Sequence, residues 1–267
     1  MNTKNLFAVM MVLALTVLAG CGKNEMDNGG FDFKVHDYRM EHVLYPKDSK
    51  LARIYQVYSD DSRMLSVEYS YDNLGRISRT DGGSESGNDY SIYQYNTKGQ
   101  LEKILSYWQY LDNPPNVAQT VSYSYDTDGN KVKELYEWED LNSVMQSRYM
   151  LYQYNGNRLI KSENYEKDQL HYYIVYEYKG DKIVKERIFA AGSNDYSIRE
   201  HYYDQNLLVY SISYYKDPTS GFGSDERRYY DRNDNLIKVV GNYPGLSSWL
   251  GATSFHVTSE YEYYYNH

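Results

Sequence analysis

Cysteine, positive charge and helical patterning are all scarce in this chain. It has 267 residues and one cysteine, so no disulfide can form within it and its core depends on packing. Its 28 Lys and Arg against 37 Asp and Glu give a formal charge of −9. An acidic chain without a basic cluster argues against a nucleic-acid partner and against an electrostatic grip on anionic lipid. No segment shows the apolar stripe of an amphipathic helix.

Motifs for catalysis and metal binding are also missing. The sequence has no G-x-S-x-G elbow, P-loop, H-E-x-x-H motif or cysteine nucleophile. Six scattered histidines lack metal-ligand spacing: His36, His42, His171, His201, His256 and His267. Asp126–Asn130 has the composition of a calcium loop, but its glycine is fourth rather than sixth and its twelfth position is Glu137, in a predicted strand. We predict no metal, no cofactor and no catalysis, with a glycoside hydrolase as a third alternative because carboxylates are plentiful.

The first 20 residues have the features of a cleaved export signal. Lys4 supplies positive charge, and Leu6–Val17 form an apolar core too short to span a membrane comfortably. The signal ends Leu18-Ala19-Gly20-Cys21, which resembles the bacterial lipobox, in which the cysteine becomes the lipidated N-terminus. We predict lipidation of Cys21, a flexible tether over residues 21–34, a single domain over 35–267 and attachment to the outer membrane. An ordinary cleaved signal followed by a free thiol is the alternative.

A tyrosine pair followed by a turn and an apolar strand recurs along the rest of the chain. Before each turn, aromatic and β-branched residues alternate with polar ones, the pattern of a half-buried antiparallel strand. The eight copies are Tyr69–Ile77, Tyr93–Leu101, Tyr123–Val132, Tyr152–Leu159, Tyr176–Ile183, His201–Leu208, Arg228–Leu236 and a truncated Tyr261–His267.

The turn residues predict tight hairpins. Asp72 can accept hydrogen bonds from the turn backbone, and Gly75 can adopt the positive φ that closes a three-residue loop. Later copies have Asn206 or Asn235 where glycine stood, and we expect these asparagines to be left-handed. Residues six apart then become cross-strand neighbours. The pairs are Tyr71/Ile77, Tyr95/Leu101, Tyr230/Leu236 and an earlier, degenerate Tyr45/Leu51, which brings the number of units to about nine.

The repeat predicts an all-β fold. Successive copies lie 24 to 33 residues apart, which leaves room for two strands, one tight turn and one variable loop. About 16 antiparallel strands in up-and-down order follow, and so many should curl into a barrel or half-barrel. The segment Lys131–Trp138 carries charge on both faces, so neither face could meet lipid. We therefore predict a barrel that does not cross the membrane.

Two resemblances extend this interpretation. The copy Tyr69–Ile77 (YSYDNLGRI) is close to the YD repeat of Rhs-type proteins, whose strands spiral into shells much longer than this chain. The lipobox, the polar tether and the YD-like hairpins together resemble uncharacterised Bacteroidetes lipoprotein families whose fold is described as porin-like. That resemblance covers nearly the whole chain after the signal. It implies a porin-like β-meander in the cell envelope and no particular activity.

Aromatic residues outside the motif are the candidates for binding. The chain has 35 Tyr and 3 Trp but only 6 Phe, and a wet, two-sided sheet accounts for most of the tyrosines. The candidate ligand-binding residues lie near predicted loops: Trp108, Tyr110, Trp138, Tyr243 and Trp249. We predict a structural or binding role. Capture of a glycan or peptide by these rings is the more specific alternative, and anchoring of the loops by the same rings competes with it.

Overall fold

The computed structural model describes residues 37–58, 60–82, 89–108, 116–140, 142–215, 223–243 and 255–264. These residues form 16 β-strands and no helix. The strands are β1 (Leu51–Val57), β2 (Arg63–Tyr71), β3 (Ile77–Gly82), β4 (Tyr90–Tyr95), β5 (Leu101–Trp108), β6 (Asn116–Tyr125), β7 (Lys131–Glu139), β8 (Met145–Asn155), β9 (Arg158–Glu166), β10 (Gln169–Lys179), β11 (Lys182–Ala190), β12 (Tyr196–Asp204), β13 (Leu207–Tyr215), β14 (Gly223–Tyr230), β15 (Leu236–Tyr243) and β16 (Phe255–Tyr263).

The strands form one closed antiparallel barrel. Each strand pairs with its neighbours in sequence, and β1 pairs with β16, so no edge is left open. The predicted all-β meander of about 16 strands is confirmed, and the closed barrel is the form observed. The predicted cross-strand pairs Tyr71/Ile77, Tyr95/Leu101 and Tyr230/Leu236 are also confirmed, each beside a bulge near the turn.

Closure joins the first and last copies of the repeat. Leu51 of β1 pairs with Tyr263 of β16, just as Ile77 pairs with Tyr71 in the β2–β3 hairpin. Residues 46–50 still form a turn, in which the Ser49 amide donates to the Pro46 carbonyl at 3.3 Å. The strand that pairs with β1, however, comes from the other end of the chain. The truncated C-terminal copy and the degenerate N-terminal copy are therefore two halves of one unit, and the barrel has eight units rather than nine.

The first motif position points into the barrel, and in six of the eight copies it is a tyrosine. Burial raises the pKa of Tyr69 on β2, and Tyr93 on β4 and Tyr261 on β16 add to the rise. Burial also raises the pKa of Tyr152 on β8, and Tyr176 on β10 adds to that rise. Side chains from strands two apart approach each other on the concave face of a curved sheet, so this face is the inner wall. The residues between them along each strand form the outer wall.

Glycine takes the left-handed conformation in the tight turns, as predicted, with a φ of 77° at Gly75. The expectation for the asparagines is wrong. The positive φ falls one residue earlier than Asn206 and Asn235, at Gln205 (52°) and Asp234 (68°). The geometry of the turn selects a position in it, and the residue at that position becomes left-handed even when it is not the most tolerant one nearby.

The segment before β1 docks against the tight turn between β14 and β15. Asp231 in that turn is fully buried, and its Oδ2 accepts a hydrogen bond from the Tyr45 amide at 2.8 Å. The Tyr230 amide donates to the Tyr38 carbonyl at 2.8 Å, and the Met40 amide donates to the Tyr230 carbonyl at 3.0 Å. The chain therefore enters the barrel at its tight-turn end. The predicted signal, Cys21 and tether lie outside the described residues.

Candidate binding surface inside the barrel

The second tyrosine of each motif builds a belt of hydrogen bonds around the tight-turn end. Its hydroxyl donates to a carbonyl near the start of the second strand of the preceding hairpin. In the described part of the chain, seven of the eight tyrosines do so at 2.7–3.0 Å: Tyr71 to Leu51, Tyr95 to Ile77, Tyr125 to Leu101, Tyr154 to Lys131, Tyr178 to Leu159, Tyr230 to Leu208 and Tyr263 to Leu236. The eighth, Tyr203, has the Lys182 ammonium 5.1 Å from its ring centre. These seven hydroxyls therefore hold neighbouring hairpins together and do not donate to a ligand.

A buried carboxylate organises the inner wall at β7. Glu134 is 4% exposed, and its carboxylate accepts hydrogen bonds from Tyr152 at 2.8 Å and from Tyr136, and pairs with the Lys131 ammonium at 2.6 Å. Burial opposes ionisation of Glu134, but Lys131 and the two hydroxyls outweigh it and lower the pKa. Each oxygen of this buried anion has a partner, so removing any one partner would leave a buried charge poorly compensated.

A second inner network contains a serine, a histidine and a glutamate in contact. His201 Nδ1 lies 2.9 Å from Ser211 Oγ, and its Nε2 lies 2.9 Å from Glu186 Oε1. The order resembles a nucleophile, base and carboxylate. Ser211 is 5% exposed, however, and it pairs with His201 and Glu226 on the flanking strands, so its backbone offers no oxyanion hole. Arg228 also donates to its Oγ at 3.1 Å, and we assign the cluster to structure.

The outer wall carries charge around much of its circumference. Ion pairs link side chains on the outer face of β1 to β3, β9 to β12, β14 and β16, several of them in mid-strand. The pairs are Arg53–Glu68, Arg53–Glu262, Arg63–Glu260, Arg79–Asp81, Lys161–Glu163, Lys185–Glu200, Arg187–Glu177 and Arg227–Asp225. Such a surface is typical of a wall in contact with water.

Three pairs of aromatic rings on the outer wall stack on each other, and a cation lies over one ring of each pair. Tyr149 stacks on Tyr165 at a centroid distance of 4.9 Å, and the Lys133 ammonium lies 4.6 Å from the Tyr149 ring centre. Two further sets repeat this arrangement, with rings Tyr90 and Tyr107 under Arg79 and rings Tyr173 and Phe189 under Lys161. These stacks hold the strands together and are poor platforms for a ligand.

Two of the five sequence-predicted binding residues lie at the loop end of the inner wall. Trp138 on β7 follows Glu134 and Tyr136 along the inward face, and the Arg148 guanidinium lies 5.9 Å from its ring centre. Trp108, the last residue of β5, continues the inward face of Ser106 and is 47% exposed. Tyr243 is the last residue of β15, but its side chain is not among those described. Tyr110 and Trp249 lie outside the described residues.

Sequence reasoning missed two acceptors that lie beside these tryptophans. On β6, Gln119 pairs with Ser106 on one side and Trp138 on the other. Asp89 immediately precedes β4, where the register of Tyr90 with Tyr107 places it opposite Trp108. Among the described residues, Gln119 Oε1 and Asp89 Oδ1 are buried and accept no hydrogen bond. No local sequence signal marks them, because an unsatisfied acceptor is defined by what surrounds it after folding.

Metal binding finds no support in the described residues, which contain no group of three or more His, Cys, Asp or Glu side chains placed to hold an ion. The calcium-like loop is a turn, as predicted. Asp126 Oδ1 accepts the amides of Asp128 at 3.0 Å and Asn130 at 2.8 Å, and its Oδ2 accepts the Asn130 side-chain amide at 2.9 Å. Both oxygens of the carboxylate are therefore occupied by the turn itself.

Comparison with known proteins gives two similar crystal structures. A porin-like protein from Bacteroides uniformis is 10% identical, with 83% of this chain and all of that chain covered and a TM-score of 0.40. A porin-like protein from Bacteroides vulgatus is 11% identical, with 81% and 99% covered and a TM-score of 0.36. No protein-family model and no curated protein matches the chain. Within the described ranges, no helix is long and apolar enough to cross a membrane.

Proposed function

We propose that this chain is a lipid-anchored protein of the cell envelope whose barrel stands in water and has a binding or structural role without catalysis. The charged outer wall carries this proposal. Lys or Arg facing lipid at the bilayer midplane costs about 2–4 kcal/mol, and the outer wall has such residues at mid-strand, including Arg53 and Lys185. With its anchor at Cys21, the barrel would be tethered at the tight-turn end and its loop end would be distal to the membrane.

Fractionation of cells that express the full chain tests both parts of the proposal. We expect the wild-type chain to incorporate labelled fatty acid and to sediment with the outer membrane. The Cys21→Ser variant should incorporate none and remain in the soluble fraction, because the lipid is the only attachment. The Cys21→Ser variant is exported by an ordinary cleaved signal in place of residues 1–20, so that no apolar segment remains. If that variant still resists extraction from the membrane, the barrel itself spans it. A wild-type chain without lipid would contradict the anchor.

Capture of a glycan or peptide at the loop end is the more specific candidate. It is favoured by the juxtaposition of Trp108 and Trp138 with two buried acceptors, Gln119 Oε1 and Asp89 Oδ1, that have no donor among the described residues. Ligand sites in barrels are commonly built in the mouth, where a few polar groups fix the orientation of the ligand. The tight-turn end has no comparable set of open groups in the described chain, because the tyrosine belt and the turn carboxylates use theirs.

Glycoside hydrolysis is not the function that the geometry favours. It requires two carboxyl groups on either side of the scissile bond, one of them held protonated by a raised pKa. Glu134 and Glu186 have lowered pKa values because their hydrogen-bonding and cationic partners outweigh burial. Burial raises the pKa of Asp89, the one carboxyl group in the described residues with an upward shift. We expect no new reducing ends when oligosaccharides are incubated with the protein, and their appearance would establish catalysis.

A further inference from the structure

We infer that the loop end of the inner wall binds a carbohydrate chain that carries carboxylate groups. The site consists of Asp89, Trp108, Gln119, Trp138 and Arg148, on or beside the consecutive strands β4 to β8. We call these five residues the mouth patch. The inference rests on the binding role proposed above and gives that role a ligand class and a location.

The two acceptors of the mouth patch call for a ligand rich in hydrogen-bond donors. An oxygen that is buried without a donor loses its hydration and gains nothing in exchange, at a cost of about 1–3 kcal/mol. Among the described residues one further buried oxygen accepts no hydrogen bond, Asn242 Oδ1 on the outer wall, since Glu177 Oε1 is held in an ion pair with Arg187. Gln119 Oε1 and Asp89 Oδ1 lie on the same stretch of the inner wall as Trp108 and Trp138. This arrangement indicates that their missing donors come from a bound molecule. Sugar hydroxyls are donors of this kind.

The two tryptophans give the same site apolar faces. Trp108 and Trp138 lie on strands that are separated only by β6, and Gln119 on β6 faces the space between them. An indole face matches the C–H face of a pyranose ring, and its edge remains polar. Trp108 is 47% exposed, so an inner-wall ring borders open space at the mouth.

Arg148 adds a positive charge to this end of the wall. Its guanidinium lies 4.7 Å from the Tyr136 ring centre and 5.9 Å from that of Trp138, and it makes no ion pair within the described residues. The other inward cations on the strands are matched, since Lys131 pairs with Glu134, Arg199 with Glu186 and Arg228 with Glu226. Glu166 on β9 lies opposite Arg148 but makes no ion pair with it in the described structure. An inward arginine without an ion-paired carboxylate, in a chain of net charge −9, favours an anionic group on the ligand, and a planar guanidinium suits a carboxylate.

The length of the mouth patch indicates an oligosaccharide rather than a single sugar. From β4 to β8 the wall crosses four strand intervals, or about 19 Å at roughly 4.8 Å each. One sugar ring would therefore donate its hydroxyls to Asp89 and Gln119. A different ring of the same chain would place its carboxylate at Arg148. Separation along the wall also keeps the ligand carboxylate away from Asp89.

Titration calorimetry on the mature lipoprotein in detergent micelles tests the inference. The probes are trimers of galacturonate, glucuronate and mannuronate, with maltotriose as the neutral comparison. We expect at least one uronate trimer to bind at least ten times more tightly than maltotriose. The Arg148→Gln variant should lose most of that preference, and Trp138→Ala should weaken binding of the preferred uronate at least tenfold.

Outer-wall variants serve as matched controls. Tyr165→Ala removes a stacked ring and Arg227→Gln removes a paired cation, and both should leave affinity within twofold of the wild type. Circular dichroism of every variant should retain the β-sheet spectrum, so that a loss of binding is not a loss of fold. The Gln119→Leu variant gives a second reading of the patch because it removes an acceptor without removing a ring or a charge.

Three results would overturn the inference. They are that no trimer binds with a Kd below about 5 mM, that maltotriose binds as tightly as every uronate, or that the mouth-patch variants bind as well as the controls. None of these results depends on where the barrel lies relative to the bilayer. The fractionation of Cys21→Ser can therefore succeed while the titration fails, or fail while it succeeds, and the two failures are distinguishable.

Discussion

The two ends of the barrel differ in how far their polar groups are satisfied. At the tight-turn end, seven tyrosine hydroxyls reach carbonyls and the turn carboxylates hold turn amides, as Asp126 does. At the loop end, Gln119 and Asp89 keep buried acceptors without donors in the described chain. The tight-turn end is thus satisfied by the belt and the turn carboxylates, whereas the loop end combines satisfied turns, such as that of Asp140, with these open acceptors. Stability should be concentrated where the repeat is regular, and recognition where it is interrupted.

The largest effect is expected at Asp231. This carboxylate is fully buried, its Oδ1 accepts the amides of Asn233 and Asn235 at 2.9 Å, and its Oδ2 accepts the Tyr45 amide at 2.8 Å. The Asp231→Ala substitution leaves several buried donors unpaired, so we expect the free energy of unfolding to fall by about 3 kcal/mol or more. Urea unfolding measures it.

The corresponding turn at Asp126 provides the control, because its carboxylate makes the same bonds to its own turn but holds no N-terminal segment. Asp126→Ala should cost clearly less than Asp231→Ala. Equal losses at the two turns would mean that docking of the segment before β1 contributes nothing.

Glu134 should make a smaller contribution to the free energy of unfolding, and that contribution should depend on pH. Its folded pKa is lowered below its ordinary value of 4.5, since Lys131 and the Tyr136 and Tyr152 hydroxyls outweigh burial. The ionised form is therefore favoured by folding, and its contribution is complete above pH 4.5 and is lost as the pH falls through the folded pKa. Glu134→Gln should lower the free energy of unfolding by about 2 kcal/mol at pH 7 and by much less under acid conditions.

Urea unfolding of the wild type and Glu134→Gln at several pH values between 7 and 3 gives the comparison. The Glu68→Gln variant, on the outer wall and 37% exposed at its side chain, should show little difference at any pH. A Glu134→Gln penalty that stays constant down to pH 3 would rule out the proposed linkage.

The tyrosine belt offers a matched pair on neighbouring hairpins. Tyr178 donates to the Leu159 carbonyl at 2.9 Å, whereas Tyr203, at the equivalent position of the next unit, makes no such bond in the described structure. Tyr178→Phe should lower the free energy of unfolding by about 1 kcal/mol, and Tyr203→Phe should be close to neutral. Thermal unfolding of the two variants side by side measures the difference, and equal losses would show that the belt bonds add no stability.

Sequence periodicity predicts the regular part of this molecule well. The alternation in each copy, the glycine in turns such as that of Gly75 and the six-residue pairing of Tyr71 with Ile77 are local consequences of backbone geometry. Closure was harder to predict, because Leu51 finds its partner Tyr263 more than 200 residues later. A repeat count made along the chain therefore counted one split unit twice.

The candidate site was only partly predictable. Trp108 and Trp138 stand out in the sequence because they fall outside the motif, and both lie on the inward face of their strands at the loop end. Gln119, Asp89 and Arg148 are ordinary polar residues until the register places them beside the two rings and leaves their polar groups unmatched. Satisfaction of a polar group is a property of the folded surroundings, and composition and spacing do not encode it locally.

The smallest expected effect has the opposite sign and would sharpen the contrast between the two ends most directly. Gln119→Leu replaces a buried acceptor that has no donor with an apolar side chain of similar size, so folding no longer strips water from an oxygen that receives nothing in return. We expect the unliganded protein to become more stable by about 0.5 kcal/mol in urea, while affinity for uronate trimers falls. If Gln119→Leu instead lowers the stability, the Gln119 acceptor already receives a hydrogen bond in the unliganded protein. The polar groups of the loop end would then be as fully satisfied as those of the tight-turn end. A gain in stability together with a loss of binding is the combination expected of a group retained for recognition.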